Sequence, residues 1–282
     1  MRQGIGRDGR HLYPAFPYTS FVHLDEADMQ SLYAYLMSLD PVSGARTEVD
    51  MPFPYNQRRL LAGWNALYAN SAPVEPRADR SAEWNRGRYL VEGVAHCGEC
   101  HSPRTLLGAQ KKGSAYLTGG EVRGWDAPSL AGTGAERWGA DEFYSYLRTG
   151  MSEGHGVAAG PMAAVVGQLQ AVPDTDIRAM SIYLGSLGTG QEAVMPSPDA
   201  AERLFDGACA VCHSELPGPA FFGSRPDLAQ SSKLRADRPD NLIRVIVEGI
   251  PDPAVPSLGA MPGFGTRLTE AQIAGLVDYL RA

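Results

Sequence analysis

The stretch Cys97-Gly98-Glu99-Cys100-His101 returns further along the chain as Cys209-Ala210-Val211-Cys212-His213. In both copies two thiols lie three positions apart, about one helical turn, and a His follows the second thiol directly. Thiols at this spacing can bond to the two vinyl groups of one porphyrin while the His ligates its iron, so the pattern is the c-type haem attachment signature. The sequence therefore predicts two covalently bound haem c groups, held by Cys97, Cys100 and His101 and by Cys209, Cys212 and His213.

Two other uses of a Cys-x-x-Cys pair explain the pattern less well. A structural zinc site takes four ligands and would need both pairs brought together. A thioredoxin-like redox pair is expected beside alternating strands and helices. Neither use accounts for the His that follows each pair. The chain contains four cysteines in all, so haem attachment would consume every thiol and leave none for a disulfide.

Length and composition suit a chain of several small domains. The chain has 282 residues, and domains commonly contain on the order of 100 to 150. Its hydrophobic content of 44% is ordinary for a protein that buries a core. A net charge of −7 and an isoelectric point near 5.4 argue against nucleic acid as a partner. The sequence has no run of 18 or more apolar residues, so no segment is expected to span a membrane.

An internal repeat indicates where the domains end. Three segments pair an apolar residue with a Tyr eleven positions later, and each opens with capping or acidic residues that suit a helix N-terminus. Apolar residues then recur at helical spacing, so each segment is predicted to be a closing helix. The three segments are 24–36, 172–184 and 268–280.

The chain has three predicted closing helices but two haem motifs. We therefore expect residues 1–45 to be the C-terminal remnant of a first haem-binding domain whose front half lies upstream. The chain opens without an apolar leader, although haem is attached to this motif after export, and a missing front half would account for that. The full predicted organisation is the remnant 1–45, a linker 46–80 with one helix over 56–70, a second domain 81–187, a linker 188–198 and a third domain 199–282.

The predicted fold class is all-α. No strand-like alternation of any length is visible in the sequence. The loops at 102–139 and 214–237 are rich in Gly, Pro and Ser and are long for small domains, and we expect them to wrap a porphyrin that supplies the core.

Methionine is the expected sixth ligand of each iron, because a thioether favours the reduced metal and raises its potential. Met162 lies in Gly160-Pro161-Met162 and Met261 in Ala260-Met261-Pro262, each shortly before a closing helix. A neighbouring Pro stiffens the loop that must hold this weak ligand. Met162 and Met261 are therefore the predicted ligands, and the spare candidates are Met151 and Met195. The helical residues Met37 and Met180 are predicted to pack in a core.

A Pro-x-Leu triplet follows each motif, at Pro128 and at Pro226. A metal-bound His normally donates its other ring N–H to a carbonyl or carboxylate. The Pro128 and Pro226 carbonyls could receive that bond from His101 and His213. An equally open interpretation is that both are ordinary loop prolines.

The helices that lead into the motifs should cross the closing helices closely, because they carry a small residue and an aromatic. These pairs are Gly87 with Tyr89 and Ala201 with Phe205. Residues 1–24 contain no such leading helix. Residues 1–45 are therefore expected to lie against the second domain through 50–70 or to present an open apolar face.

The order Cys-x-x-Cys-His, Pro-x-Leu, Met and closing helix with Tyr resembles the class I cytochrome c domain, twice over. Over its full length the chain resembles the multi-haem cytochrome c subunits of bacterial membrane-associated dehydrogenases that oxidise alcohols, gluconate, aldehydes or N-heterocycles. The resemblance implies tandem class I cytochrome c domains, each a few helices around a covalent haem c, with a third haem in a full-length version. Phe16 stands where many relatives have the Met ligand of the first haem. Further stretches that carry the likeness are 8–18, 52–68, Leu117-Thr118-Gly119-Gly120, Gly124-Trp125 and Gly160-Pro161-Met162.

The resemblance implies an electron-transfer subunit without catalytic residues. Such a subunit takes electrons from a dehydrogenase catalytic subunit and relays them to quinone or a terminal oxidase. It would work in the periplasm, at the outer face of the cytoplasmic membrane, where peripheral association with the membrane is open to it. A di-haem peroxidase or a haem gas sensor would each need an open iron position, which two matched His/Met pairs disfavour.

Overall fold

The computed structural model describes residues 2–44, 50–69, 72–132, 138–152, 156–188, 199–213, 228 and 231–282. The described part is mainly helical, as predicted, and none of its helices is long and apolar enough to cross a bilayer. Pro226 and Met195 lie outside these ranges. The α-helices are α1 (Tyr18–Phe21), α2 (Glu26–Ser38), α3 (Leu61–Tyr68), α4 (Ala82–Tyr89), α5 (Gly98–His101), α6 (Ala140–Thr149), α7 (Pro161–Leu169), α8 (Asp174–Gly185), α9 (Asp199–Ala208), α10 (Ala210–His213), α11 (Ser232–Arg235), α12 (Asp240–Glu248) and α13 (Glu270–Arg281).

The three predicted closing helices are α2, α8 and α13. The Asp25 side chain accepts from the Asp28 amide at the start of α2, and Thr269 accepts from the Gln272 amide at the start of α13. Both bonds satisfy an amide that has no partner inside its helix. Helix α8 begins after Pro173, whose side chain has no such acceptor, and has Asp174 in its first turn. Side-chain caps therefore stabilise the starts of α2 and α13, whereas α8 is stabilised by an acidic residue near the positive end of its helix dipole.

Two short antiparallel hairpins correct the expectation of a purely helical fold. Strand β1 (Gly120–Val122) pairs with β2 (Trp125–Ala127), with Gly120 opposite Ala127. Strand β3 (Met151–Ser152) pairs with β4 (Gly156–Val157). Strands of two or three residues are too short to produce a visible alternation in sequence. The first hairpin lies within the long loop expected at 102–139.

The core of the predicted second domain forms where α4 crosses α8. A Cβ atom at Gly87 would overlap the Ala179 carbonyl, so the two backbones approach as closely as the small residue was predicted to allow. Trp84 packs edge-on against Tyr183, with ring centroids 5.0 Å apart. Met180 is buried in this core, as predicted. The other buried members are Leu90, Val91, Leu117, Phe143, Leu147, Leu169, Ile177 and Leu184.

The predicted third domain contains a comparable arrangement of α9, α12 and α13. The ring of Phe205 on α9 lies 5.8 Å from that of Tyr279 on α13, so the predicted contact between leading and closing helix is present. Helix α12 presents Leu242 and Ile246 to a core that also contains Leu234 and Val277. Burying each such side chain is worth roughly 1.5–3 kcal/mol.

The N-terminal segment lies on the second domain and also exposes an apolar stripe. The Tyr18 hydroxyl donates to the Asn65 side chain at 2.6 Å, and the Tyr89 hydroxyl donates to Asp28 at 2.7 Å. Among the residues of α2, Met29 is buried. The exposed apolar residues at and after this helix are Tyr33, Tyr35, Leu36, Met37, Leu39 and Val42. The prediction that Met37 packs in a core is therefore wrong.

The predicted helix over 56–70 is shorter in the structure. A 3-10 turn covers Arg58–Leu60 and leads into α3. The amides of Asn56 and Gln57 instead donate to the carbonyls of Pro52 and Pro54, which closes a turn before the helix. Residue 70 lies outside the described ranges.

Candidate haem-binding sites

The first motif is positioned by an irregular end of its leading helix. Helix α4 continues into a π-helical turn at Leu90–Val94, a feature that is frequent at functional sites. His96 has a left-handed backbone with φ 42°, and the Cys97 amide donates to the Val91 carbonyl at 3.1 Å. The chain thus reverses onto the end of its own helix, and α5 starts immediately with the motif.

The backbone of α5 sets the spacing of the two thiols and the imidazole. The amides of Cys100 and His101 donate to the Cys97 carbonyl at 3.2 and 3.0 Å. Gly98 lies against Gln110 and Tyr116, and a Cβ there would overlap both side chains. The four-residue helix therefore packs closely against the loop that follows it.

Glu99, between the two cysteines, is a residue whose role the sequence did not reveal. Its carboxylate accepts from the Thr19 hydroxyl at 3.2 Å, from the Ser20 hydroxyl at 3.1 Å and from Arg104 at 2.8 Å. The carboxylate thus ties the N-terminal segment to the motif. The sequence shows only that a charged residue lies inside the motif. Its partners Thr19 and Ser20 lie 80 and 79 positions away, so the contact could not be predicted from neighbouring residues.

His101 is oriented by the Pro128 carbonyl, one of the two interpretations that the sequence left open. Its Nδ1 donates to that oxygen at 2.8 Å, which leaves Nε2 to ligate a metal. The hairpin β1–β2 ends at Ala127 and so places Pro128, while the Gly119 amide donates to the His101 carbonyl at 2.9 Å. Burial lowers the pKa of His101, which favours the neutral imidazole that a metal requires. The matching bond from His213 to Pro226 lies outside the described residues.

Burial favours the neutral form of three of the four thiols. It raises the pKa of Cys97 to about 12 and also raises the pKa of Cys100 and Cys209. A zinc ligand must be a thiolate, which low-polarity surroundings disfavour. Within the ranges that the structure describes, no three His, Cys, Asp or Glu side chains come together to hold a metal ion. Neutral thiols are compatible with thioether formation, which leaves the sulfur uncharged.

Met162 lies at the start of α7. Gly160 is the N-cap residue, with φ 53°, and Pro161 occupies the first helical turn. Met162 is half-buried and packs against the buried cluster that Cys97 also borders. The structure thus places the predicted sixth ligand on the same core as the motif. The spare candidate Met151 lies in β3.

In the third domain the predicted residues line one cavity of about 260 Å³. This volume far exceeds the roughly 10–15 Å³ that a single buried water needs, so the cavity is no packing defect. Met261 is fixed by two backbone bonds with Ile250, at 2.9 and 3.1 Å. The lining includes Cys209, Cys212, His213 and Met261, together with the apolar residues Leu234, Leu242, Val245, Ile246, Phe264 and Leu276.

The donor sets fit a covalently bound haem. Each site offers two thiols one turn apart and an adjacent imidazole, with a thioether on the same apolar core or cavity. The apolar lining of the third-domain cavity would keep water away from an iron held by these ligands. Fold and site together define a c-type cytochrome.

Comparison with known proteins places the chain in a particular group of these cytochromes. A family profile described as "Cytochrome C oxidase, cbb3-type, subunit III" matches residues 196–280. The chain is 52% identical to a nicotinate dehydrogenase subunit of Pseudomonas putida, over 100% of the chain and 25% of that protein. It is 34% identical to the fructose dehydrogenase cytochrome subunit of Gluconobacter japonicus, over 99% of the chain and 65% of the relative. It is also 34% identical to the gluconate 2-dehydrogenase cytochrome c subunit of Pantoea cypripedii, over 100% of the chain and 70% of the relative.

These matches establish the family of the chain. The chain spans 25% of the length of the first relative, 65% of the second and 70% of the third. It belongs to the family of cytochrome c subunits of dehydrogenases.

Proposed function

We propose that this protein is an electron-transfer subunit that accepts electrons from a dehydrogenase catalytic subunit and relays them to quinone or a terminal oxidase. The observation that carries the proposal is that a residue close in sequence to Met162 lines the cavity of the third-domain site. Val157, in the second domain, lines the cavity formed by Cys209, Cys212 and His213. Val157 and Met162 are five positions apart, and an extended chain spans at most about 3.3–3.6 Å per residue. Their Cα atoms therefore lie within about 18 Å, and the two sites are close neighbours.

Each haem would be held by residues of one domain. Cys97 and Cys100 would attach the second-domain group, and His101 and Met162 would ligate its iron. Cys209 and Cys212 would attach the third-domain group, and His213 and Met261 would ligate its iron. When bound, the group supplies a reversible one-electron change at its iron.

The chain's own residues prepare these sites. The Pro128 carbonyl holds the proton on His101 Nδ1 and keeps the ring in one orientation. The Ile250 backbone fixes Met261 on the cavity wall of the third site. The apolar lining excludes water, and no side chain needs to act as an acid, base or nucleophile.

The remaining proposals follow from the family. Residues 81–187 and 199–282 form tandem haem domains, and residues 1–45 are the closing part of a further unit of the same kind, since α2 repeats the pattern of α8 and α13. The nicotinate, fructose and gluconate dehydrogenases named for the relatives make a dehydrogenase catalytic subunit the expected partner. The expected location is the periplasm, at the outer face of the cytoplasmic membrane.

Haem counting and CO titration test this function. The full chain is produced with c-type haem maturation, and denaturing mass spectrometry is expected to show two covalent haems. Both sites should reduce and reoxidise reversibly, and the reduced protein should bind little CO because a His and a Met would ligate each iron. One haem or none would contradict the assignment of the motifs. Stoichiometric CO binding at one site together with turnover of peroxide would instead support a di-haem peroxidase.

A further inference from the structure

The segment of the second domain that leads to Met162 contacts the third domain directly at one end and through Trp125 at the other. At one end the Val157 carbonyl accepts from the Lys233 ammonium at 2.5 Å. At the other end the Gly160 backbone lies against the Trp125 indole, which is in turn contacted by Arg244 on α12. Three positions separate the two points, and Met162 follows the second point by two residues.

The contact between Trp125 and Gly160 leaves no free space. Gly160 has φ 53°, and a Cβ there would lie 2.5–2.9 Å from three atoms of the indole. Gly160 is the N-cap of α7, and the rigid Pro161 separates it from Met162. A displacement of the indole would therefore move the first turn of α7 and the thioether with it.

Helix α12 fixes the position of Trp125 through the backbone on both sides of it. The Arg244 Nε donates to the Gly124 carbonyl at 2.8 Å, and its guanidinium carbon lies 5.7 Å from the centre of the Trp125 ring. The Asn241 side chain accepts from the Asp126 amide at 2.8 Å and donates to the Asp126 carbonyl at 2.5 Å. Three consecutive residues of the second domain are thus held by one helix of the third.

We propose that Arg244 and Trp125 are positioning residues for Met162, so that docking of the third domain sets the sixth-ligand geometry of the second site. The inference rests on the proposed function, in which Met162 is that ligand. A thioether is a weak ligand, so its position depends on the residues that support it. When those supporting contacts are loosened, the distance and angle of the sulfur to the iron are expected to change. The coupling runs through a continuous set of packed groups from α12 to the N-terminus of α7.

The test uses the mature two-haem protein and three measurements on it. Arg244→Met removes the guanidinium but keeps an apolar stem, and Trp125→Phe keeps an aromatic but leaves a gap beside Gly160. The measurements are the sulfur-to-iron charge-transfer absorption of the ferric protein, the potential of each site and the rate of CO association with the reduced protein. Met162→Ala provides the signature of an open second site.

Arg178→Met is the matched control. Arg244 pairs with Glu248, four positions away at 2.9 Å. Arg178 likewise pairs with an acid four positions away, Asp174 at 2.8 Å, and also lies over an aromatic ring, Tyr144 at 4.1 Å. Both of its partners lie within the second domain. The control thus loses an ion pair and a ring contact of the same kinds as Arg244→Met without touching the path to Met162.

We expect Arg244→Met and Trp125→Phe to weaken the charge-transfer absorption, to lower the potential of the second site and to speed CO association there severalfold. The third site and the Arg178→Met protein should keep wild-type values. Effects in both variants no larger than those of Arg178→Met, while Met162→Ala opens the second site, would overturn the inference and leave the proposed function standing. No effect of Met162→Ala would overturn the inference together with the assignment of Met162 as the ligand, whereas the proposed function is contradicted by the haem count or the CO titration. Haem content and circular dichroism show whether each variant has folded.

Discussion

The Nδ1 atom of His101 lies 2.8 Å from the Pro128 carbonyl oxygen, and the two residues meet because the hairpin β1–β2 returns the chain to the motif helix. The bond places a proton on one ring nitrogen, and the other nitrogen is the one that would ligate iron. Donation to a carbonyl also makes the imidazole a stronger electron donor, which stabilises the oxidised metal.

Loosening this bond should raise the potential of the second site. Pro128→Ala keeps the carbonyl but frees the backbone that the proline ring restricts, so the acceptor is held less firmly. A weaker bond makes His101 a poorer donor and disfavours the ferric state. Redox titration measures the effect. The control is Pro103→Ala, because the Pro103 carbonyl accepts from the Lys111 amide and not from His101, the predicted iron ligand. An unchanged or lower potential in Pro128→Ala would contradict the argument.

The sequence predicted the candidate ligands of the site better than the contacts that hold those ligands in place. The motif, the closing helices and the Met residues are visible because each depends on neighbours within a few positions. The hairpin that delivers Pro128 was missed because three-residue strands carry no periodic signal. The contact between Trp125 and Gly160 was also missed, since it joins two loops that only the folded chain brings together.

The N-terminal segment shows a second limit of prediction from sequence. The apolar stripe of α2 was recognised, but helical periodicity cannot say whether a stripe has a partner. Met180 and Met37 both occupy such stripes, and one is 3% exposed while the other is 66% exposed. The difference arises because α8 has α4 to pack against and the outer face of α2 has no comparable neighbour among the described residues.

Removing either predicted sixth ligand should affect its own site. Met162→Ala and Met261→Ala each take away a thioether, so the potential of that site should fall and its reduced iron should bind CO. Redox titration and CO spectra report both effects. Met180→Leu is the control, because Met180 is buried in the core and a swap of similar volume costs less than about 1.5 kcal/mol. Wild-type potentials in both alanine variants would remove the assignment.

Gly87→Ala should destabilise the second domain. The added methyl would overlap the Ala179 carbonyl and lie 2.9 Å from Tyr183 Cβ, so α4 and α8 must separate. Overpacking of this kind costs roughly 1–3 kcal/mol, which chemical unfolding can measure. Gly63→Ala, on α3 with open space around it, should instead stabilise by roughly 0.5–1 kcal/mol because it lowers the entropy of the unfolded chain. Equal effects of the two substitutions would contradict the close crossing.

The ion pair between Arg86 and Asp176 should make the free energy of unfolding depend on pH in the acidic range. The guanidinium donates to both carboxylate oxygens, at 2.9 and 2.8 Å, and this lowers the pKa of Asp176 from its ordinary value of 3.8. A lowered folded-state pKa stabilises the fold above about pH 4, and the contribution is lost as the pH falls through the lowered value. Since the pair is partly exposed, Asp176→Asn should cost no more than about 1 kcal/mol near neutral pH.

The stability of the Asp176→Asn protein should converge with that of the wild type in acid. Unfolding measured across the pH range checks this. Asp79→Asn is the control: Arg77 lies two positions from Asp79, so their pair can form in the unfolded chain as well and should contribute little to folding. A constant difference at all pH values would mean that Asp176 acts through packing and not through its charge.

Hydrogen exchange should distinguish α2 from α8, although the sequence predicted both as closing helices. Tyr33 is 63% and Leu36 47% exposed, so the outer half of α2 lacks the apolar burial that slows local opening. We expect the amides around Leu36 to exchange much faster than those around Ile177, which is fully buried. The start of α2 should be intermediate, because Tyr89 holds Asp25 and Asp28 by hydrogen bonds. Protection near Leu36 equal to that near Ile177 would show that this face is covered in solution, and a test of self-association by sedimentation would then show whether a second copy covers it.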